Sequence, residues 1–358
     1  MTIADIIRHR LINQQIEEQR FSSAKEVVSW LGAIQAQDYQ MAKWAIGIRL
    51  PKATDVLIEK AIDSAEIIRT HILRPTWHFV ATEDVRWMIE LSAPQIGKTL
   101  NVYSERLELT AKVCSKSNEL FAKLLSGGKH MTREELMGEL KRNKIITANS
   151  IQSLQIMMKA EISGIVCNGP KKGKQFTYAL LDERVPKSKK LDREEAIAKL
   201  AQRYFTSHGP ATVHDFGWWS GLKMTEAKLG VELNRKNFDS ATINNQTFWF
   251  RDSGLVKKNK TEEVHFLPAF DEYVISYTDR SLSMEIDIMK KAITSNAIFK
   301  PVCVINGKVE GIWNRTIKKD KTIVETHFLK LKKVNKKLLE SALQSYSQFL
   351  GHKVVLST

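Results

Sequence analysis

The chain has 358 residues, 43 % of them hydrophobic, enough for more than one buried core, and no apolar run approaches the roughly 20 residues of a membrane helix. Its 55 lysines and arginines outnumber 40 aspartates and glutamates, and the net charge of +15 attracts polyanions, of which nucleic acid is the commonest large one in a cytoplasm. Three scattered cysteines, Cys114, Cys167 and Cys303, offer no CxxC and no zinc spacing, so a reducing cytoplasm is expected and a metal site is not.

In chain order, Ser23-x-x-Glu26 has the form of a capping box and opens an amphipathic helix that runs into LGAIQAQDYQ, residues 31–40. On a continued helix Gln35 and Gln37 would diverge by about 200°, whereas on an extended exit they would project the same way. With Asp38, Tyr39 and Gln40 following, amides capping a helix end is the commoner reading of the pair. The next marked segment, IIRTHILRPTWHFV, reads as extended around Pro75, which puts Arg74, Thr76 and His78 on one side with Thr70 and His71 close by. Such a row could grip phosphates or line a pocket; it could equally be the exposed face of a hairpin that buries Trp77 and Phe79.

A compact unit follows from Leu120 to Val185. Thr132-x-x-Glu135 starts one helix, ANSIQSLQIMMKAEISG supplies a second, and IVCNGPKKGKQFTYAL is a hairpin with Lys171, Lys172 and Lys174 near its tip. Thr212-x-x-Asp215 opens another helical stretch, in which adjacent Trp218 and Trp219 point about 100° apart, so at least one should pack in a core. An aromatic strand, NQTFWFRDSG, comes after it. Further basic residues gather at Lys187, Lys189 and Lys190, at Lys257, Lys258 and Lys260, and at Arg315, Lys318, Lys319 and Lys321. All lie in segments that read as turns and linkers, from which long cations reach a phosphate backbone. The last hundred residues turn β-rich, with the Asn306-Gly307 pair of a tight hairpin, one helix (NKKLLESALQSYSQFLG) and a final strand.

Helix, turn, helix and hairpin is the order of a winged helix. The expected fold is therefore α+β: tandem winged-helix modules over 1–118, 119–188 and 189–260, then a β-rich domain with one helix over 261–358. No P-loop, GxGxxG, nucleophile elbow or Asp-rich cluster is present.

Taken together, LGAIQAQ, RTHILRPTWHFV, LPAFDEYVISYTDR and VINGKVEGIWNR resemble the bacterial winged-helix DNA glycosylases of the AlkZ/YcaQ type, in the expected order along nearly the whole chain. The resemblance implies tandem modules in a C-shaped arrangement around a basic concave surface, and excision of alkylated purines, including bulky N7-alkylguanines and, in some members, interstrand crosslinks. The family's Gln-x-Gln motif falls on Gln35, Ala36 and Gln37, which marks the AlkZ-like branch and makes the two glutamines the catalytic pair, with Asp38 as possible electrostatic support. DNA contacts are then expected from Arg69, Thr70, His71, Arg74, Thr76, His78, Lys171, Lys172, Lys174, Arg315, Lys318 and Lys319. The expected partner is duplex DNA carrying alkylated bases, bound by a cytoplasmic, nucleoid-associated monomer without cofactor, metal or membrane.

Two rivals stand beside this reading. A non-catalytic winged-helix regulator explains charge and modules equally well and does not require the glutamines. A bifunctional lyase would need an amine nucleophile such as Lys43.

Overall fold

The computed structural model describes residues 1–251, 262–329 and 334–357. Lys257, Lys258 and Lys260, and the expected boundary at 260/261, lie outside them.

One element order occurs three times. In the first unit the helix Ala24–Leu31 is followed by strand β1 (Ile34–Gln35), the helices Tyr39–Gly47 and Asp55–Asp63, and a hairpin of β2 (Ile67–Ile72) and β3 (Thr76–Ala81), with sheet order β1-β3-β2. The second unit repeats it: helix Ala111–Leu125, β4 (Met131–Thr132), helices Arg133–Arg142 and Ser150–Ile162, then β5 (Val166–Asn168) and β6 (Thr177–Leu180) in the order β4-β6-β5. The third has helices Arg193–Ser207, Val213–Ser220 and Met224–Leu233 and the hairpin β7 (Asp239–Ile243) and β8 (Gln246–Phe250), and a bridge from Ala211 to Trp249 stands in for its first strand. The helix Ala111–Leu125 runs through position 118, so the division expected at 118/119 falls inside an element.

All three hydroxyl capping boxes form in both directions, but not at equivalent places. Thr132 and Thr212 cap the second helix of their units, whereas Ser23 caps the first helix of its own. In the first unit the position matching Thr132 is held by Asp38, whose side chain accepts from the Met41 N–H.

The C-terminal part is a five-stranded sheet ordered β13-β12-β11-β10-β9, from β9 (Val264–Leu267), β10 (Val302–Ile305), β11 (Lys308–Ile317), β12 (Lys321–Phe328) and β13 (Lys353–Leu356). Asn306 and Gly307, at φ 49° and 79°, make the tight turn between β10 and β11. The helix Lys336–Leu350 packs against this sheet through Leu339, Leu343, Tyr346 and Phe349.

The β1–β3 sheet is buried on both faces, and this positions the site. On one face Ile34, Ile67, Phe79 and Ala81 join a core with Val302, Val304 and Trp313 of the C-terminal sheet. On the other, Ile68, Ile72 and Val80 join Leu200, Tyr204, Phe216 and Trp219 of the third unit. The second unit keeps a core of its own around Phe121, Leu136, Leu140 and Ile156. Among the described residues, no helix is long and apolar enough to cross a membrane.

Candidate active site

The helix Ala24–Leu31 stops at Gly32, whose φ of +80° suits a residue without a side chain, and the chain leaves it extended. From there the backbone of the Gln-x-Gln segment is held group by group. The N–H of Gln35 donates to Oε1 of Glu272 at 2.9 Å, and the N–H of Ala36 donates to the Trp77 carbonyl at 2.7 Å. The Ala36 carbonyl accepts from Nε and Nη2 of Arg69 at 3.2 and 3.0 Å. Neither glutamine caps a helix, contrary to the commoner sequence reading; Asp38 does, at 3.0 Å to the Met41 N–H. This carboxylate starts the helix Tyr39–Gly47.

Gln35 is the last residue of β1, paired across the sheet with His78, and Gln37 follows in the bend between this strand and the helix Tyr39–Gly47. Gln35 is 5 % exposed, and Gln37 is exposed. Ala36 lies in the core shared with the C-terminal sheet and is fully buried.

Around Gln35 the polar groups interlock. Nη2 of Arg74 donates to Oε1 of Gln35 at 2.9 Å, while Nη1 reaches the carbonyl of Trp218 at 3.3 Å and that of Trp219. A guanidinium has only donors, so it fixes the amide with its oxygen inward and its NH2 free to face outward. Glu272, fully buried, accepts from the Gln35 N–H on one oxygen and on the other from the Trp219 indole at 2.9 Å and the Ser276 hydroxyl at 2.6 Å, with His208 Nε2 at 3.6 Å. Burial would raise the pKa of this carboxyl, but the neighbouring His208 first, then the hydrogen bonds from Ser276 and the Gln35 N–H, outweigh it and hold it at about 2.

Directly across the sheet from Gln35 lies His78, and across from His78 lies Thr70. Burial first, and then the Arg74 charge, push His78 down to about 3, so its imidazole is neutral. Its Nδ1 donates to the Thr76 carbonyl at 2.9 Å, which makes Nε2 an acceptor. That nitrogen and the hydroxyls of Thr70 and Thr76 are buried without a hydrogen-bond partner among the described residues.

The row of donors expected on an open hairpin face is therefore not open. Thr70 and His78 are fully buried and His71 is 2 % exposed. A lone hairpin would leave one face to solvent; here β1 adds a third strand, the third unit covers the face of Thr70, Thr76 and His78, and His71, on the opposite face, pairs with Glu161 of the second unit. Arg69 and Arg74 spend their donors on the Gln-x-Gln strand instead of projecting into a groove. Among the lysines of the second hairpin, Lys171 is tied to Glu59 at 3.0 Å and Lys172 to Glu135 at 2.8 Å, whereas Lys174 is exposed. Arg315 donates to the Tyr346 hydroxyl, and Lys318 and Lys319 are exposed in the turn between β11 and β12. Lys43 is 1 % exposed and paired with Asp55 at 2.8 Å and Glu59 at 2.7 Å, which removes it as an accessible amine nucleophile.

Sequence reading missed Glu272, although it lies inside LPAFDEYVISYTDR; a Glu flanked by an aromatic and branched residues was the available signal. Among the described residues one trio, Glu17, Glu263 and His265, brings possible metal-ligating atoms within 4.8 Å of one another, but Arg8 already places a cation 3.4 Å from Glu17. It shares no residue with the Gln-x-Gln surroundings.

Comparison with known proteins identifies the family. A curated relative, the interstrand DNA cross-link repair glycosylase of Streptomyces sahachiroi, is 21 % identical over 334 residues, spanning 89 % of this chain and 88 % of that protein. The solved structure of the Streptomyces sahachiroi DNA glycosylase AlkZ superposes with a TM-score of 0.83 over all of both chains at 18 % identity, a likeness of fold. The family described as DNA glycosylase AlkZ-like matches residues 28–349. The chain belongs to the AlkZ-like DNA glycosylase family.

Proposed function

We propose that this enzyme hydrolyses the N-glycosidic bond of alkylated purines in duplex DNA, N7-alkylguanine foremost, with bulky adducts and interstrand crosslinks within reach. The observation that carries the reading is one amide, Gln35, pinned by Arg74 at the end of β1, and a second, Gln37, exposed two residues further on. Alkylation at N7 makes guanine a cationic leaving group, and the sugar bond breaks with oxocarbenium character, so the protein must mainly position water and favour positive charge on the sugar. A glutamine does not titrate near neutrality. With Oε1 of Gln35 turned to Arg74, its NH2 is left to donate, and the carbonyl of Gln37 accepts a hydrogen bond from the attacking water, whose proton leaves to solvent once the bond to the sugar has formed. Burial of Lys43 fits a monofunctional hydrolase without a covalent imine.

The three repeated units are read as winged helices, and the exposed Lys174, Lys318 and Lys319 as phosphate contacts on a basic concave surface; Thr70, His71 and His78 are withdrawn from that role. Crosslink unhooking is proposed because the curated relative carries that description. We take the protein as a monomer acting on the nucleoid without metal.

The test is base release from duplexes carrying N7-methylguanine, a bulky N7 adduct or a crosslink, with chelator present. Release of the free base with the DNA strand left abasic is expected. Sequence-selective binding with no release from any substrate would instead support a regulator built on this fold.

A further inference from the structure

Two large aromatic side chains near the Gln-x-Gln strand are open to solvent: Phe176, 45 % exposed, ahead of β6 in the second unit, and Trp218, 43 % exposed, on the helix Val213–Ser220 of the third. Single exposed hydrophobics are ordinary. These two differ because each is tied to the strand by an arginine that also holds it. Arg69, donating to the Ala36 carbonyl, lies 5.1 Å from the centre of the Phe176 ring, and Tyr39, two residues beyond Gln37, packs edge-on to that ring at 4.8 Å. Arg74, donating to Gln35, also bonds the carbonyl of Trp218. Arg69 and Gln35 lie on opposite faces of the β1–β3 sheet, so the two arginines reach the segment from its two sides.

We infer that Phe176 and Trp218 are the base-stacking contacts of this enzyme, each offering a ring face to a nucleobase of the duplex beside the Gln35–Gln37 segment. The Trp218 indole N–H is already satisfied by the Ile275 carbonyl at 2.9 Å, and phenylalanine has no polar group, so what each presents is an apolar face. Stacking needs nothing more, and it tolerates any sequence because every base has a π-face. The surroundings suit a polyanion: Lys172 and Lys174 are exposed near Phe176, and Arg280 lies 5.8 Å from the Trp218 ring. Two flanking platforms would support the bases beside a lesion too bulky to enter a closed pocket. This rests on the strand being the reacting centre.

The experiment measures the affinity of Phe176→Ala, Trp218→Ala, Phe176→Tyr and Trp218→Phe for a duplex carrying one N7-methylguanine, over a salt series, together with single-turnover base release. Each alanine variant is expected to bind about 5- to 100-fold more weakly, the loss of one stacked base, while the aromatic variants stay within about 3-fold of the parent. The salt slope should not change, because no phosphate contact is removed. Alanine variants that bind like the parent, aromatic variants as weak as alanine, or a reduced salt slope would overturn the inference. A parent protein that binds but releases no base contradicts the reacting-centre reading, while the affinities still decide the stacking.

Discussion

The N–H of Gln35 donates to a carboxylate oxygen of Glu272 at 2.9 Å, across 237 positions of chain. Through this bond the segment after β9 holds the strand that carries the amide pair, and the same carboxylate gathers Trp219 and Ser276. Glu272 is thus a positioning residue, one hydrogen bond removed from the glutamines.

Replacing Glu272 by Ala strands several buried donors together and should cost about 3–5 kcal/mol of stability. Glu272→Gln keeps the shape but turns its NH2 toward one existing donor, for a loss of about 1–3 kcal/mol. Thermal unfolding reads both, and base release by the folded Gln variant should fall through kcat with KM little changed.

Acid should weaken the fold through the same residue. Its carboxyl sits at about 2 against an ordinary 4.5, so its contribution is complete above pH 4.5 and is lost as pH falls from there toward 2. His78 acts in the same direction: depressed to about 3 from 6.5, it stays neutral in the fold while the unfolded chain takes up a proton, so stability declines below 6.5. The stability gap between parent and Glu272→Gln should shrink from pH 6 to pH 3, on the order of 2 kcal/mol closing over that range. A gap that widens in acid would contradict the assignment.

The rate of base release, by contrast, should be flat between about pH 6 and 8, since amides do not titrate and neither Glu272 nor His78 changes charge there. A bell-shaped or sloping single-turnover profile over that range would point to an ionising base in place of an oriented water.

Arg69→Lys tests the clamp on the Ala36 carbonyl. A guanidinium makes two bonds to it and lies 4.3 Å from the centre of the Trp77 ring, which an ammonium reproduces poorly. Release should slow by about 10-fold, the equivalent of about 1.4 kcal/mol, with the affinity for DNA little altered.

Ala36→Leu should destabilise by about 1–3 kcal/mol through overpacking, because the side chain enters a filled core. Unfolding measurements check this. If the variant is as stable as the parent yet discriminates adducts by size, position 36 shapes the substrate site instead.

Much of the architecture was legible in the chain. Hydroxyl-acid caps, helical spacing and the Asn306-Gly307 turn are local signals, and they marked the repeated units and the β-rich end because neighbours in sequence decide them. The extended exit from the helix at Gln35 was legible only as one of two alternatives, since a two-residue strand has no periodicity of its own and exists because β3 pairs with it. The burial of Thr70, His71 and His78 was not legible: a hairpin face is open or covered according to helices more than a hundred residues away. Glu272 was hidden for the same reason, as its partners converge from three distant segments. The capping by Asp38 becomes visible only through the equivalence between units, where Thr132 marks the same position.

The most direct test of the amide-pair mechanism is single-turnover release of N7-methylguanine from duplex DNA by Gln37→Ala, compared with the parent at matched DNA occupancy. Gln37 is exposed and makes no core contact, so the variant should fold and bind DNA normally while release falls by about 100-fold or more, the scale of losing a group that orients the reacting water. Release at the parent rate from fully bound DNA would contradict the account.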